Sequence, residues 1–216
     1  MPALVSMRER LTLTPEQVRA LLAVLTEPYR TMVLLAVLSG LRRGEIFGLR
    51  WKAIDFSQKC IVVMESMYEG HSAPPKTRAS RRKVFVDDVV LEALLRLRPP
   101  FCQPDDLVFH TGRGGPLEPN NVRQRILHPA CRQANIPLVG WHNFRYTYST
   151  WADPTGGSIK ALQAQLGHTD PHLTLSVYTQ PMPEAQRQLA VKVARVLLPV
   201  APEFRGELGR EGELTH

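Results

Sequence analysis

Apolar residues recur at helical spacing along most of the chain, and the breaks between them mark its elements. Thr14-Pro15-Glu16-Gln17 precedes Val18, Leu21, Leu22 and Leu25. The threonine can cap a helix, proline suits its first position, and the glutamine completes a capping box. A second helix is predicted from Pro28 to Leu38, apolar almost all round and therefore buried, with Gly40 free to take a left-handed cap. Glu45 to Trp51 suits a short helix, and β-branched runs at Asp55 to Val63 and Val84 to Val86 read as strands. Gly70-His-Ser-Ala-Pro-Pro75 supplies turn chemistry between them, which predicts a small antiparallel sheet with Lys76 to Lys83 at its solvent-facing end. Asp87 to Leu97 returns to helical period and Pro99-Pro100 ends it. Val108-Phe109 reads as a short strand or turn before Gly112-Arg-Gly-Gly115, and a helix follows from Asn120 to Asn135. Asp170-Pro171 opens a helix carrying Leu173, Val177 and Tyr178, and another is predicted from Glu184 to Leu197. The expected class is α+β, mainly helical, with a small antiparallel β-sheet.

Length and composition narrow the function classes. A chain of 216 residues, 44% hydrophobic and 22% charged, can bury a core without staples and is not a disordered or collagen-like chain. Its longest apolar stretch, Met32 to Leu38, is too short to cross a bilayer, and no signal-peptide core is seen near Met1, so a cytoplasmic location is expected. Three cysteines, Cys60, Cys102 and Cys131, form no CxxC and indicate neither a disulfide framework nor a zinc site. The net charge is +7. Glu203 to His216 holds four Glu and two Arg, so the excess of cations lies in the preceding, foldable part and favours a polyanionic partner.

Five places carry candidate chemistry. In Ser39-Gly-Leu-Arg-Arg-Gly-Glu45 an arginine follows a helix-ending glycine and precedes an acid that could hold its guanidinium. Pro75-Lys-Thr-Arg-Ala-Ser-Arg-Arg-Lys83 puts five cations on a hairpin, either a solvated face or a phosphate track. Trp141-His-Asn-Phe-Arg145 places His and Arg on one helix face, where they can converge on an anion. Leu166-Gly-His168 sets an imidazole at a glycine turn, and Tyr178 follows ten residues later. Each alone has an ordinary structural explanation.

Together and in this order, they resemble the catalytic domain of the tyrosine recombinases, the phage integrase family, over roughly Leu13 to Leu198. The resemblance implies Arg42 and Arg145 as phosphate-binding arginines, Glu45 as a supporting acid, and Lys76 as the hairpin lysine and general acid. It further implies His142 as general base, His168 as a hydrogen-bond donor to the phosphate, and Tyr178 as nucleophile. Arg43, Arg78, Arg81 and Arg82 are expected to contact DNA. Tyr146 stands where many members have a second histidine, and Asp153-Pro154 should shorten or kink a helix that usually runs on.

The implied function is a site-specific recombinase that cleaves and rejoins double-stranded DNA through a 3′-phosphotyrosyl link. Two bidentate guanidiniums can stabilise the charge that builds on the non-bridging oxygens, so neither metal, ATP nor another cofactor is implied. A non-catalytic DNA-binding remnant and a type IB topoisomerase are the alternatives. Residues 1–12 read as an extension, 13–200 as the catalytic domain and 201–216 as a flexible tail, with the family's N-terminal DNA-clamping domain expected to be absent. The segment from Glu184 is expected either to dock on a neighbouring protomer in a tetramer on DNA, or to pack in cis through Leu189, Val193 and Leu197.

Overall fold

The computed structural model describes residues 11–64, 66–68, 71–73, 82–152 and 159–167. Within them, α1 (Pro15–Val24) starts at the predicted capping box: Thr14 Oγ1 accepts from Gln17 N at 3.3 Å and Gln17 Oε1 accepts from Thr14 N at 2.9 Å. Helix α2 (Tyr29–Ser39) is buried along most of its length and ends at Gly40, in the left-handed region at φ 67°. The third helix, α3 (Arg43–Phe47), begins earlier than predicted because Glu45 reaches back to the Arg42 backbone N–H at 2.7 Å, and Gly48 ends it. A single 3₁₀ turn, Trp51–Ala53, leads into the sheet.

The run from Asp55 to Val63, predicted as one strand, is a tight hairpin. Asp55 accepts hydrogen bonds from Ser57 Oγ at 2.7 Å and Gln58 N at 2.9 Å, and Lys59 turns the chain at φ 52°. Strands β1 (Ile54–Asp55), β2 (Cys60–Val63) and β5 (Arg82–Phe85) form an antiparallel sheet in the order β1-β2-β5. Val63 pairs with Arg82 and Cys60 with Phe85. Strands β3 (Ser66–Tyr68) and β4 (His71–Ala73) form a separate antiparallel pair.

Helix α4 (Asp88–Leu97) follows, capped by Asp87. At Val108-Phe109, expected as a short strand or turn, the chain bends between two isolated bridges, Leu107 to Arg50 and His110 to Pro116, the latter across the glycine-rich turn. The helix predicted over 120–135 comprises α5 (Pro119–Val122), one π-helical turn (Arg123–Leu127) and α6 (His128–Gln133). Pro129 has no N–H for the preceding turn, and the chain widens locally, with His128 N bonded to Arg123 O. Helix α7 (Trp141–Ala152) and helix α8 (Ile159–Leu166) complete the described elements. No helix among the described residues is long and apolar enough to cross a membrane.

The core gathers Leu21, Met32, Leu35, Ile46, Phe47, Ile61, Val84, Leu94, Phe109 and Phe144. Trp141, at the start of α7, packs edge-on against Phe47 of α3, with ring centroids 4.9 Å apart. That contact sets the short helix after Arg42 against the helix that carries His142 and Arg145. Helix α7 is also tied to the chain entering α1: Thr147 Oγ1 accepts from Leu13 N at 3.0 Å, and Trp151 Nε1 donates to Leu13 O at 2.9 Å. On the other side, the Gln165 amide of α8 donates to Phe85 O at 2.8 Å and accepts from Phe85 N at 3.1 Å, extending the edge of β5.

Gly40 lies where these elements meet. A Cβ there would fall 2.7 Å from Leu166 Cδ2 and 2.8 Å from Tyr148 Cδ1, in a left-handed backbone. Gly40→Ala should therefore cost about 1–2 kcal/mol of conformational strain and about 1–3 kcal/mol of overpacking. Thermal unfolding checks this: the melting temperature should fall by several times about 2 °C, and an unchanged value would show that the turn relaxes freely.

Candidate active site

Arg42 occupies the N-cap position of α3, just after the Gly40 turn. Its Nη1 donates to Glu45 Oε1 at 3.0 Å, and its Nη2 donates to the Gly167 carbonyl at 2.7 Å. Arg145 projects from α7 into a buried position, where Nη1 donates to Gly40 O at 2.6 Å and Nη2 to Leu166 O at 2.7 Å. The two arginines, more than a hundred residues apart in sequence, thus share the Leu166–Gly167 turn. These hydrogen bonds use two of the five N–H groups of each guanidinium. The Arg42 side chain is 36% exposed, so this cationic pair opens to solvent on its side.

Burial, followed by the charge of Arg42, draws the Arg145 guanidinium down to about 9, with Glu45 acting in the opposite direction. It remains cationic at neutral pH. His142, one turn before Arg145 on α7, sits in the field of three guanidiniums. Partial burial lowers its pKa, as do the charges of Arg145, Arg43 and Arg42. Because the ring keeps solvent contact, the cationic neighbours are the sturdier cause. The imidazole is therefore neutral at pH 7, the form that can accept a proton. Its ring meets Tyr146 edge-on, with centroids 6.3 Å apart.

Glu45 is buried beneath Arg42, with its side chain 4% exposed. Burial alone would raise its carboxyl, but the hydrogen bonds and charges of Arg82 and Arg42 outweigh this and hold it below the usual carboxylate range. Arg43 is exposed at the start of α3, near enough to act electrostatically on both His142 and Glu118.

Arg82 differs from the expectation of a DNA-facing side chain. Its guanidinium turns inward, 7% exposed, onto both oxygens of Glu45 at 2.8 and 2.9 Å, and its Nε donates to Gln165 O at 2.8 Å. The sequence held a signal for this, because Arg82 shares the inner face of β5 with buried Val84 while Lys83 and Phe85 face out. Gln165, which joins α8 to β5, had no comparable signal. Lys76, Arg78, Arg81, His168 and Tyr178 lie outside the described residues, as do the Asp153-Pro154 step, the helices predicted beyond Asp170 and the tail. Among the described residues, no group of three His, Cys, Asp or Glu side chains could hold a metal ion.

The sequence profile of the Phage integrase family matches residues 11–185. An integrase of Staphylococcus phage L54a is 26% identical over 192 residues, covering 78% of this chain and 54% of that protein. Tyrosine recombinase XerC of Anoxybacillus flavithermus is 30% identical over 152 residues, covering 69% of this chain and 49% of that protein. The chain spans about half the length of these curated relatives. In fold it is similar to the Tn1549 transposon integrase, solved in complex with transposon right end DNA: the TM-score is 0.73 at 22% identity, over 88% of this chain and 68% of that one. The fold is thus that of a tyrosine recombinase catalytic domain, and a profile match running from before α1 to beyond α8 means that the chain belongs to the Phage integrase family.

Proposed function

We propose that residues 13–200 form the catalytic domain of a site-specific DNA recombinase or integrase, which cleaves and rejoins strands through a phosphotyrosyl link at Tyr178. The observation that carries this reading is the seating of Arg42 and Arg145 on consecutive carbonyls of one turn, with a neutral His142 in their field. Two cations at one place, each using two of its five N–H groups among the described residues, suit a phosphodiester, whose charge grows on its non-bridging oxygens as a fifth ligand arrives. In the proposed step the Tyr178 oxygen attacks phosphorus and gives its proton to His142, and the 5′ oxygen leaves as an alcohol with a proton from Lys76. One phosphodiester replaces another, so a second 5′-hydroxyl can reverse the step without ATP. His168 donates a hydrogen bond to the same phosphate in this scheme, while Arg43, Arg78 and Arg81 track neighbouring phosphates. Double-stranded DNA is the proposed partner, bound by a tetramer; the Tn1549 integrase, solved on DNA, supports the choice of ligand.

The test is covalent capture. The chain is incubated with a randomised pool of nicked duplexes that shed the short fragment bearing the new 5′-hydroxyl on cleavage, and denatured protein is examined for attached DNA. Adduct mapped to Tyr178 is expected. Salt-sensitive binding without any adduct would favour a binding remnant instead.

His142 supplies a pH dependence for the same reaction. Its pKa lies below the ordinary 6.5, so the midpoint of its protonation falls at a more acid pH than that. The acid limb of kcat/KM for cleavage should have its midpoint below pH 6.5, and His142→Gln should remove that limb. A midpoint above 6.5, or a limb that survives the substitution, would assign it to another group.

A further inference from the structure

Three consecutive carbonyls at the end of α8 are each occupied by a different arginine. Gln165 O accepts from Arg82 Nε at 2.8 Å, Leu166 O from Arg145 Nη2 at 2.7 Å, and Gly167 O from Arg42 Nη2 at 2.7 Å. The last carbonyls of a helix lack intrahelical partners and lie at its negative end, so they suit cations. Two of these arginines are the proposed phosphate-binding pair. The third, Arg82, comes from β5 and points away from solvent.

Resting on the recombinase reading, we propose that Arg82 is a positioning residue for strand cleavage, holding Arg42 in place through Glu45 and the α8 turn. Arg82 takes both Glu45 oxygens in two parallel hydrogen bonds, which leaves Arg42 a single side-chain contact to that carboxylate, Nη1 to Oε1. The other Nη of Arg42 is thereby free to reach Gly167 O. Without Arg82, the buried carboxylate would face Arg42 alone. A forked pairing would then be its best remaining arrangement, and it would draw Arg42 away from the turn.

Charge leads to the same conclusion. Arg42, Arg82 and Arg145 around Glu45 are three cations and one anion, so the cluster keeps a net positive charge for a phosphate. Loss of Arg82 would leave Glu45 to cancel most of the field of Arg42. Gly167 completes the arrangement: at φ 64° it lies so close that a Cβ would fall 2.8 Å from Arg82 Cδ and 3.1 Å from Cζ. The arginine and the glycine fit one against the other.

The test compares Arg82→Met, Arg82→Lys and the double variant Arg82→Met with Glu45→Gln. Each is assayed for single-turnover adduct formation on captured nicked duplex at saturation, for DNA affinity across salt concentrations, and for thermal melting. Arg82→Met should slow adduct formation by about 30-fold or more at saturation, with affinity within about threefold and the salt slope unchanged. Removing the stranded carboxylate in the double variant should regain about tenfold of that loss. If Arg82→Met does not fold, Arg82→Lys keeps the charge but not the fork, and should cleave about tenfold slower than wild type.

Wild-type cleavage by both single variants would overturn the proposal. A double variant no faster than Arg82→Met would also overturn it, because the effect would then not pass through Glu45. Normal cleavage at saturation with weaker binding and a salt slope lower by about 0.9 would make Arg82 a direct phosphate contact instead. Absence of adduct from the wild-type chain would overturn both this proposal and the function beneath it, whereas adduct from wild type and variants alike would overturn the positioning role alone.

Discussion

Arg145→Ala should lower single-turnover strand cleavage by about a thousandfold while the chain still binds DNA. Removing one preorganised donor to a developing oxyanion costs about 10² to 10³ in rate, and Arg145 supplies a full charge as well as donors. Its setting increases the effect: the guanidinium is buried, where water screens it little, and it is held by Gly40 O and Leu166 O before any substrate arrives. Those two carbonyls lose their partner in the alanine variant, so the thermal transition should be recorded in parallel. Arg145→Lys retains a charge but not a fork spanning two carbonyls, and it too should be impaired, by about a hundredfold. Cleavage by Arg145→Ala within about tenfold of wild type would remove Arg145 from the chemistry.

Tyr178→Phe should abolish the covalent adduct altogether. Phenylalanine has no oxygen to join to phosphorus, and the effect does not depend on how well the rest of the site is built. A phenol with an ordinary pKa of about 10 is mostly protonated near neutrality, so in the proposed step the hydroxyl relies on the imidazole of His142 as base and on the cations of Arg42 and Arg145. DNA affinity should change by less than about twofold, because binding to a duplex is dominated by Lys and Arg contacts to phosphates. Equal adduct from the two proteins would place the nucleophile elsewhere, and mass spectrometry of the linked peptide would then locate it.

Much of the fold around this site was legible in the sequence, because its signals are local. The capping box at Thr14, the left-handed turn at Gly40 and the β-branched strand through Val84 each follow from a few neighbouring residues. Residues whose placement is decided by distant partners read less well. The start of α3 moved forward because Glu45 reaches the Arg42 backbone, and the strand from Asp55 broke into a hairpin at an aspartate-stabilised turn. Pro129 gave a widened turn where helical period alone implied a uniform helix. Arg82 is the most instructive case. A run of cations suggests a solvated or DNA-facing surface, yet one member of it is folded inward, where the Glu45 carboxylate takes its guanidinium in a charge-assisted fork and the end of α8 adds a carbonyl, offsetting the lost hydration. Nothing in the sequence shows that three arginines from α3, β5 and α7 will meet three successive carbonyls.

The proposed meeting of Arg42 and Arg145 on one phosphate can be measured directly by crystallising the chain on a nicked duplex with orthovanadate bound at the nick as a five-coordinate mimic. Side-chain nitrogens of both residues should lie within about 3.2 Å of oxygens on the same vanadium, with Arg82 still on Glu45. Vanadate held by only one of the two arginines, or the two reaching separate phosphates, would contradict the shared anion seat.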